Sequence, residues 1–299
     1  MKFSSFLIGI FALLFLLNSI FLGEYAKQAN AQTAATISLN ASTTFQTMTG
    51  WEATSQAGQD FAEYPLYRNT LLDLAVNDLG INRIRLEIRS SVENSQDIWT
   101  LFNNGQISSA ENRCLRYSTV NDNNDPNVIN SNGFKFSSFD HTIDNVILPL
   151  KQVVEARGEK LYINVNYVAF TSQITGSGCS SSLAYHHSNA DEYAEFVLAA
   201  YLHMQSKYGF VPDAWEVILE PDNVSQWDGS TIGNAVLKAA ARLEANGFTP
   251  RFIAPSNTNM GSAISYFDAM ANVLGSSNVT KYVKEFSYHR YGGVSETPA

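Results

Sequence analysis

The feature that most constrains the fold is an alternation of helix-like and strand-like segments along the chain. Three helix-like segments are each followed by a strand-like one: 189–208 then 214–220, 230–246 then 251–256, and 262–274 then 284–291. Glycines at 209 and 247 stand where the first two helices should stop. Strands that alternate with helices in this way predict a parallel sheet built from βα units.

The first half of the chain follows the same plan. Its predicted elements are a strand over 46–53, a helix over 65–79, a strand over 82–88, a helix over 139–157 that Pro149 must kink or split, and a strand over 161–168. This gives six strands and five helices before Ala299, whereas a closed barrel has eight strands. We expect an α/β fold, a (β/α)8 TIM barrel incomplete by its last two βα units. The alternative is a six-stranded open sheet.

Two long polar stretches interrupt the alternation, at 93–138 and 171–188. Both follow predicted strands, so both should lie over the face of the sheet where active sites form. The chain has two cysteines, Cys114 and Cys179, one in each stretch. A single disulfide between these loops is compatible with the sequence, but the sequence does not show that the two cysteines meet.

The N-terminus has the three-part build of a secretory signal. Lys2 supplies the positive charge, Phe6 to Leu22 is an almost unbroken apolar run, and Ala29-Asn30-Ala31 is a small-x-small cleavage site. We expect residues 1–31 to be removed and the protein to be secreted, without stable membrane association. An uncleaved membrane anchor is the alternative, because the run is near the length that spans a bilayer.

The charge balance excludes several classes of partner. The whole chain has a net charge of −9 at pH 7, and loss of the leader with Lys2, Lys27 and Glu24 would take it to −10. Phosphate binding relies on basic patches, so nucleic acid and anionic lipid are poor partners and neutral substrates fit better. There is no zinc-binding spacing, and the adjacent histidines 186 and 187 in a serine-rich loop are expected to be solvated. No cofactor or metal is expected.

Glu220 is the carboxylate to which the sequence gives a defined position in the predicted fold. An apolar strand from Trp215 runs directly into Glu220, and Pro221 follows. Proline cannot donate to a sheet ladder, so Pro221 should end the strand and leave Glu220 at its rim. In a parallel barrel the loops that follow the strands form the active-site face.

Four short motifs carry a family resemblance. They are Gln46-Thr-Met-Thr-Gly-Trp51 on the first strand, Arg85-Leu-Glu-Ile88 at the end of the second, Glu220-Pro221 at the end of the fourth, and Ser287-Tyr-His-Arg-Tyr291 at the end of the sixth. Together they resemble the clan of retaining glycoside hydrolases built on a TIM barrel, and the opening is most similar to glycoside hydrolase family 30. In that family an N-terminal strand joins a small β-domain, which implies residues 32–45 as that strand and linker and 46–299 as a partial catalytic barrel.

The resemblance implies a division of roles. Glu220 corresponds to the general acid/base, and the nucleophile would close a seventh strand beyond Ala299. Arg85 corresponds to the arginine that holds the nucleophile ionised, and a salt bridge with Glu87 inside the barrel is the competing interpretation. His289 and Tyr291 correspond to positions that line the cleft.

One departure from the clan pattern concerns the 2-hydroxyl of the sugar. Leu219 stands where the clan has an asparagine that hydrogen-bonds this hydroxyl, an interaction that strengthens in the transition state. Asn166 and Asn223 are candidates for the role. Trp51 and Trp227 follow predicted strands and could stack on sugar rings, although core packing is an equal alternative for Trp51.

The sequence thus predicts a secreted enzyme that hydrolyses β-glycosidic bonds of a neutral polysaccharide or oligosaccharide by a retaining mechanism. Leu219 motivates an alternative, a non-catalytic carbohydrate-binding barrel that holds glycan without cleaving it. A third class, a structural cell-surface protein retained by an uncleaved leader, has less support.

Overall fold

The computed structural model describes residues 38, 40, 42–44, 47–169 and 186–291. The chain divides into two compact units, Met1–Met48 and Thr49–Ala299. The leader over 1–31 lies outside the described residues, as does most of the 32–45 segment. The sheet and the candidate site belong to the second unit.

A six-stranded sheet organises this unit. Its strands pair in sequence order, each parallel to the next. They are β1 (Trp51–Thr54), β2 (Ile81–Arg89), β3 (Tyr162–Val168), β4 (Ala214–Glu216), β5 (Phe252–Asn257) and β6 (Val283–Tyr288). The predicted parallel α/β architecture is confirmed, although three strand bounds differ by three residues or more. Residues 47–50 precede β1 without strand structure, the regular ladder of β4 ends at Glu216, and β6 ends at Tyr288, before His289 and Tyr291.

Helices connect the strands. They are α1 (Tyr64–Asn77), α2 (Ile98–Asn103), α3 (Ser109–Leu115), α4 (Ser137–Thr142), α5 (Leu148–Ala156), α6 (Ala190–Tyr208), α7 (Gly229–Ala245) and α8 (Met260–Tyr282). The short α2 and α3 lie within the stretch that the sequence presented as a long polar loop. The end signals of α6 act as predicted: the Asn189 side chain accepts from the Asp191 amide at 3.0 Å. Gly209 takes φ 75° where the helix stops, a conformation that glycine adopts without steric cost.

The segment predicted as one helix over 139–157 is split, for the reason that Pro149 suggested. A π-helical turn, Ile143–Ile147, separates α4 from α5, and Pro149 lies in the first turn of α5. Proline has no N–H to give to the carbonyl four residues earlier, which belongs to Asn145. The Tyr64 hydroxyl donates to that carbonyl at 3.2 Å instead. The hydrogen bond thus joins α1 to the point where the chain changes helix type.

The sheet is strongly curled. Arg83 on β2 donates to both oxygens of Glu285 on β6, at 2.8 and 2.6 Å, although three strands separate β2 from β6 in the sheet. Side chains of strands so far apart can meet only across a concave face, as they do inside a barrel. On the opposite face, Leu86 and Ile88 are fully buried in the core beneath the helices. The described residues therefore form six strands of a barrel wall, consistent with an incomplete (β/α)8 barrel.

Among the described residues, no helix has the length and apolar character that a membrane span requires.

Candidate active site

Glu220 lies at the carboxyl edge of the sheet. Backbone hydrogen bonds continue past the regular end of β4: the Leu219 amide donates to Tyr167 at 2.9 Å and the Glu220 amide to Ser256 at 3.0 Å. A short 3-10 turn, Pro221–Asn223, begins immediately afterwards. The chain is thus held between its two neighbouring strands as far as Glu220 and released at Pro221.

The backbone of Glu220 is in the left-handed region, at φ 50° and ψ 59°. Residues other than glycine seldom adopt this conformation, which is retained only where the surroundings impose it. The residue is only 9% exposed. Glu220 is therefore a buried carboxylate on a constrained backbone at the rim of a parallel sheet. Such constrained positions cluster at active sites.

Both carboxylate oxygens of Glu220 have hydrogen-bond partners. His289 Nδ1 lies 2.7 Å from Oε1, and the Asn223 side chain donates to Oε2 at 3.0 Å. Arg85 Nη1 lies 3.5 Å from His289 Nε2. Since arginine can only donate, this contact assigns the proton to Nδ1, which then donates to Glu220. The fold therefore brings Arg85, Asn223 and His289 together around Glu220.

Arg85 does not form the predicted alternative salt bridge. Within the part of the chain that the structure describes, no ion pair joins it to Glu87. Glu285 on β6 binds Arg83 and accepts from the Tyr162 hydroxyl at 3.1 Å. Glu296 lies outside the described residues.

Below Glu220 the concave face carries a second polar layer. The sheet register sets Glu87, Asn166 and Glu216 level with one another on β2, β3 and β4. Glu216 accepts from the Asn164 side chain at 3.1 Å and from the Ser256 hydroxyl. Asn166 is completely buried, and both polar atoms of its amide lack a partner among the described residues.

A cleft opens at the carboxyl ends of β1 and β2. Its volume is about 430 Å³, and its lining includes Gln56, Gln59, Glu87, Arg89, Arg116 and Tyr117. Leu219, the residue before Glu220, packs against Tyr117 and Val168. Glu220 is not among the lining residues, and the cleft is connected to its chain segment only through the packing of Leu219 on Tyr117. Its amides, charges and aromatic rings are groups that can hydrogen-bond hydroxyls and pack against sugar rings.

The three aromatic candidates lie in different places. Tyr291 is 77% exposed and its ring stands edge-on to His289, with centroids 5.6 Å apart. Trp227 is buried in the core, where it packs against Tyr193, so it presents no ring face to a ligand. Trp51 is exposed, but it pairs with Ile81 at the start of β2, the end of the sheet opposite Glu220. Neither tryptophan therefore lies where a stacking platform was expected.

Sequence reasoning missed a buried polar network behind the site. His187 Nε2 contacts the Glu93 carboxylate, and His187 Nδ1 lies 2.7 Å from the Tyr167 hydroxyl. His187 is fully buried, so the expectation that it is solvated is wrong. The contact joins residues that are 94 positions apart, and no local pattern in a serine-rich loop could have revealed it.

Two further expectations concern cysteine and metal. Cys114 is disulfide-bonded; Cys179, the other cysteine of the chain, lies outside the described residues. Over the described ranges, the structure brings together no group of three or more histidine, cysteine or acidic side chains that could hold a metal ion.

No protein-family model matches the chain, and no curated protein matches it. Among solved structures, the catalytic domain of GH30 xylanase C from Talaromyces cellulolyticus matches with a TM-score of 0.47 at 11% identity, over 82% of this chain and 54% of that one. SrfJ from Salmonella typhimurium matches with a TM-score of 0.46 at 12% identity, over 80% and 49%. The chain spans about half the length of these two structures, and neither likeness bears on the roles of individual residues.

Proposed function

We propose that the protein is a secreted retaining glycoside hydrolase that cleaves β-glycosidic bonds of a neutral polysaccharide or oligosaccharide, with Glu220 as its general acid/base. One observation carries the proposal. Glu220 is a buried carboxylate at the carboxyl edge of a curled parallel sheet, and side chains from two different segments orient its two oxygens. This edge is where enzymes built on parallel barrels perform their chemistry.

The roles of the neighbouring residues follow from their contacts. In the first step Glu220 protonates the glycosidic oxygen of the leaving sugar, and in the second it takes a proton from the incoming water. The hydrogen bond from His289 aims one carboxylate oxygen, and Arg85 keeps the imidazole in the tautomer that donates it. Asn223 holds the other oxygen and can turn to a sugar hydroxyl when Glu220 is protonated.

A retaining mechanism needs a second carboxylate about 5 Å from the first. Over the described residues β6 pairs only with β5, so its other edge is open to a further strand. We propose that the nucleophile ends such a strand, beyond Ala299.

The substrate class follows from the cleft and the overall charge. The cleft at the ends of β1 and β2 combines amides with side chains of both signs, which suits a hydroxyl-rich neutral ligand. The net charge of −9 disfavours polyanions such as nucleic acids. The apolar N-terminal run before Ala29-Asn30-Ala31 supports export, with no lasting attachment to a membrane after cleavage.

Substitution of Glu220 by alanine tests the proposal. Loss of the acid/base should reduce turnover of polysaccharides and of aryl glycosides with poor leaving groups by about 10²- to 10⁴-fold. Substrates with activated leaving groups need no protonation, and azide should restore their turnover because it attacks the glycosyl-enzyme without base assistance. The assay follows reducing sugar and the released phenol, with Glu155→Ala as the matched control because Glu155 is an exposed helical carboxylate. Unchanged turnover in Glu220→Ala would falsify the assignment.

The nucleophile can be located independently. A 2-deoxy-2-fluoro glycoside with a good leaving group should form a stable glycosyl-enzyme, and peptide mass spectrometry should find the label on a carboxylate other than Glu220. An axial product detected early by NMR, together with the absence of any label, would indicate an inverting enzyme.

Leu219 favours one second candidate, a barrel that binds glycan without cleaving it. Its apolar side chain offers no hydrogen bond at the position next to Glu220. Under this alternative the wild-type chain retains affinity for polysaccharide in a gel-shift assay, shows no turnover, and binds equally well with Glu220→Ala.

A further inference from the structure

Asp222, two residues after Glu220, has an unusually large set of hydrogen bonds for a half-buried side chain. Its carboxylate accepts from the Thr258 amide at 3.0 and 3.2 Å, from the Thr258 hydroxyl at 2.7 Å, and from the Ser262 hydroxyl at 2.8 Å. Thr258 and Ser262 belong to the segment that follows β5. One carboxylate therefore fastens the loop after β4 to the loop after β5.

The same stretch after β5 is also fastened to the end of β6. The His289 amide donates to the Asn257 carbonyl at 2.7 Å, and the Tyr291 amide donates to the Thr258 carbonyl at 3.2 Å. Hydrogen bonds thus join the ends of three consecutive strands, β4, β5 and β6, and the segments that follow them into one unit, the bracket (residues 220–223, 256–262 and 289–291). Asp222 connects its first part, which carries Glu220, to the remainder, which carries His289.

The bracket has a geometric consequence for Glu220. Its left-handed backbone has to be held by its surroundings, and the contacts that hold it lie on both sides of the residue. The Glu220 amide donates to Ser256, and the Asn223 amide donates back to the Glu220 carbonyl at 3.0 Å. Asp222 anchors the short turn between these two hydrogen bonds, and so fixes the direction in which the Glu220 side chain leaves the backbone.

A simpler role for Asp222 would be to cap the N-terminus of α8. That role is already filled, because Asn259 is the N-cap residue of α8 and its side chain accepts from the Ser262 amide at 2.9 Å. The groups that Asp222 binds are the Thr258 amide before the helix and two side-chain hydroxyls. Its contacts join the turn after β4 to Thr258 and to the Ser262 hydroxyl in the first turn of α8, and none of them is to a backbone amide of that helix.

We infer that Asp222 is a positioning residue that sets the Glu220 carboxylate against His289. The inference rests on the proposed function of Glu220. It states that the hydrogen bonds from Asp222 to Thr258 and Ser262 hold the acid/base in its working position. A displacement of about 1 Å at a reacting group can cost about 10²-fold in rate. Loss of the Asp222 contacts should therefore lower kcat while leaving the sugar-binding cleft, and hence KM, unchanged.

The experiment compares Asp222→Ala with Asp228→Ala. Asp228 is the N-cap of α7 and accepts from the Thr231 amide at 2.7 Å, so its removal takes away a helix cap and none of the hydrogen bonds of Asp222. Asp222→Ala should lower kcat about 10- to 100-fold with KM within about twofold, whereas Asp228→Ala should lower only Tm. Asp222→Asn, which keeps an acceptor for the Thr258 amide, should recover part of kcat.

A spectroscopic readout keeps the inference separate from the proposed function. Long-range 15N–1H NMR of His289 should report the Nδ1–H tautomer in the wild-type chain and in Asp228→Ala, and a mixture of tautomers in Asp222→Ala. If the signal changes but no variant hydrolyses a glycoside, the positioning role stands and the hydrolase proposal fails. If Asp222→Ala does not fold, Ser262→Ala removes one of the contacts and should show the same change in smaller measure. An unaltered His289 signal together with unchanged kcat would overturn the inference.

Discussion

At the residue scale, packing determines the residue at position 219, next to Glu220. Leu219 is 6% exposed and forms a small apolar cluster with Tyr117 and Val168. The backbone amide of Leu219 donates to Tyr167 on β3, so its side chain is committed to the side that meets Tyr117. Leucine here packs against Tyr117, which lines one wall of the cleft at the ends of β1 and β2.

This interpretation predicts the result of Leu219→Asn. A buried amide among apolar side chains costs about 1–3 kcal/mol, so Tm should fall, and kcat on glycosides should not rise. Leu219→Met is the matched control, because it conserves volume and should cost less than about 1.5 kcal/mol. Thermal unfolding and initial rates on the two variants decide the matter. An increase of kcat in Leu219→Asn would mean that the side chain at 219 does reach the sugar.

At the element scale, the structure explains which boundaries a sequence can specify. The bounds of α6 were predicted within one residue because Asn189 and Gly209 mark them chemically. The regular part of β4 is shorter than its apolar run, because the chain leaves the ladder at Glu216 and is then held by single hydrogen bonds up to Glu220. The strand propensity of the residues does not predict this end of the ladder, because it depends on the positions of the backbone carbonyls of β3 and β5.

The π-helical turn before Pro149 predicts a measurable contribution from Tyr64. Tyr64→Phe should leave the Asn145 carbonyl without its partner, at a cost of about 1–3 kcal/mol. Tyr67→Phe is the control, because Tyr67 stands edge-on to Tyr64 with centroids 5.5 Å apart but is itself 39% exposed. Urea denaturation should show a lower midpoint for Tyr64→Phe than for Tyr67→Phe. Equal midpoints would show that water serves the carbonyl as well as tyrosine does.

At the scale of the whole molecule, the parallel sheet and the rim position of Glu220 could be predicted, and much of the surrounding polar network could not. The alternation of elements and Pro221 were visible in the sequence. The pair of Glu93 with His187 and the bracket from Asp222 to Thr258 join segments that are distant in the chain. Trp227 looked like a cleft residue from its place after a strand, but burial against Tyr193 is decided by how α6 packs on the sheet.

Glu195, a buried acid between α6, α7 and the loop after β2, makes the stability of the fold depend on pH. Burial, reinforced by Asp122, Glu192 and Glu93, raises the pKa of Glu195 from 4.5 to about 8, and Arg242 opposes this. Glu195 is 1% exposed. Between pH 4.5 and 8 the folded chain retains a proton that the unfolded chain has released, so this group's contribution to the free energy of unfolding falls as pH rises.

Glu195→Gln removes this titration while keeping the shape of the side chain. The variant should match the wild-type chain near pH 5 and become progressively more stable than it towards pH 8, by an amount on the order of a few kcal/mol. The reason is that glutamine has no proton to lose, whereas the wild-type chain must hold a protonated acid or bury a carboxylate beside Asp122. Tm measured across this pH range provides the test, with Glu155→Gln as the exposed control that should follow the wild-type curve. Parallel curves for the wild-type chain and Glu195→Gln would show that Arg242 keeps Glu195 ionised, and that this buried carboxylate is stabilised as an ion pair.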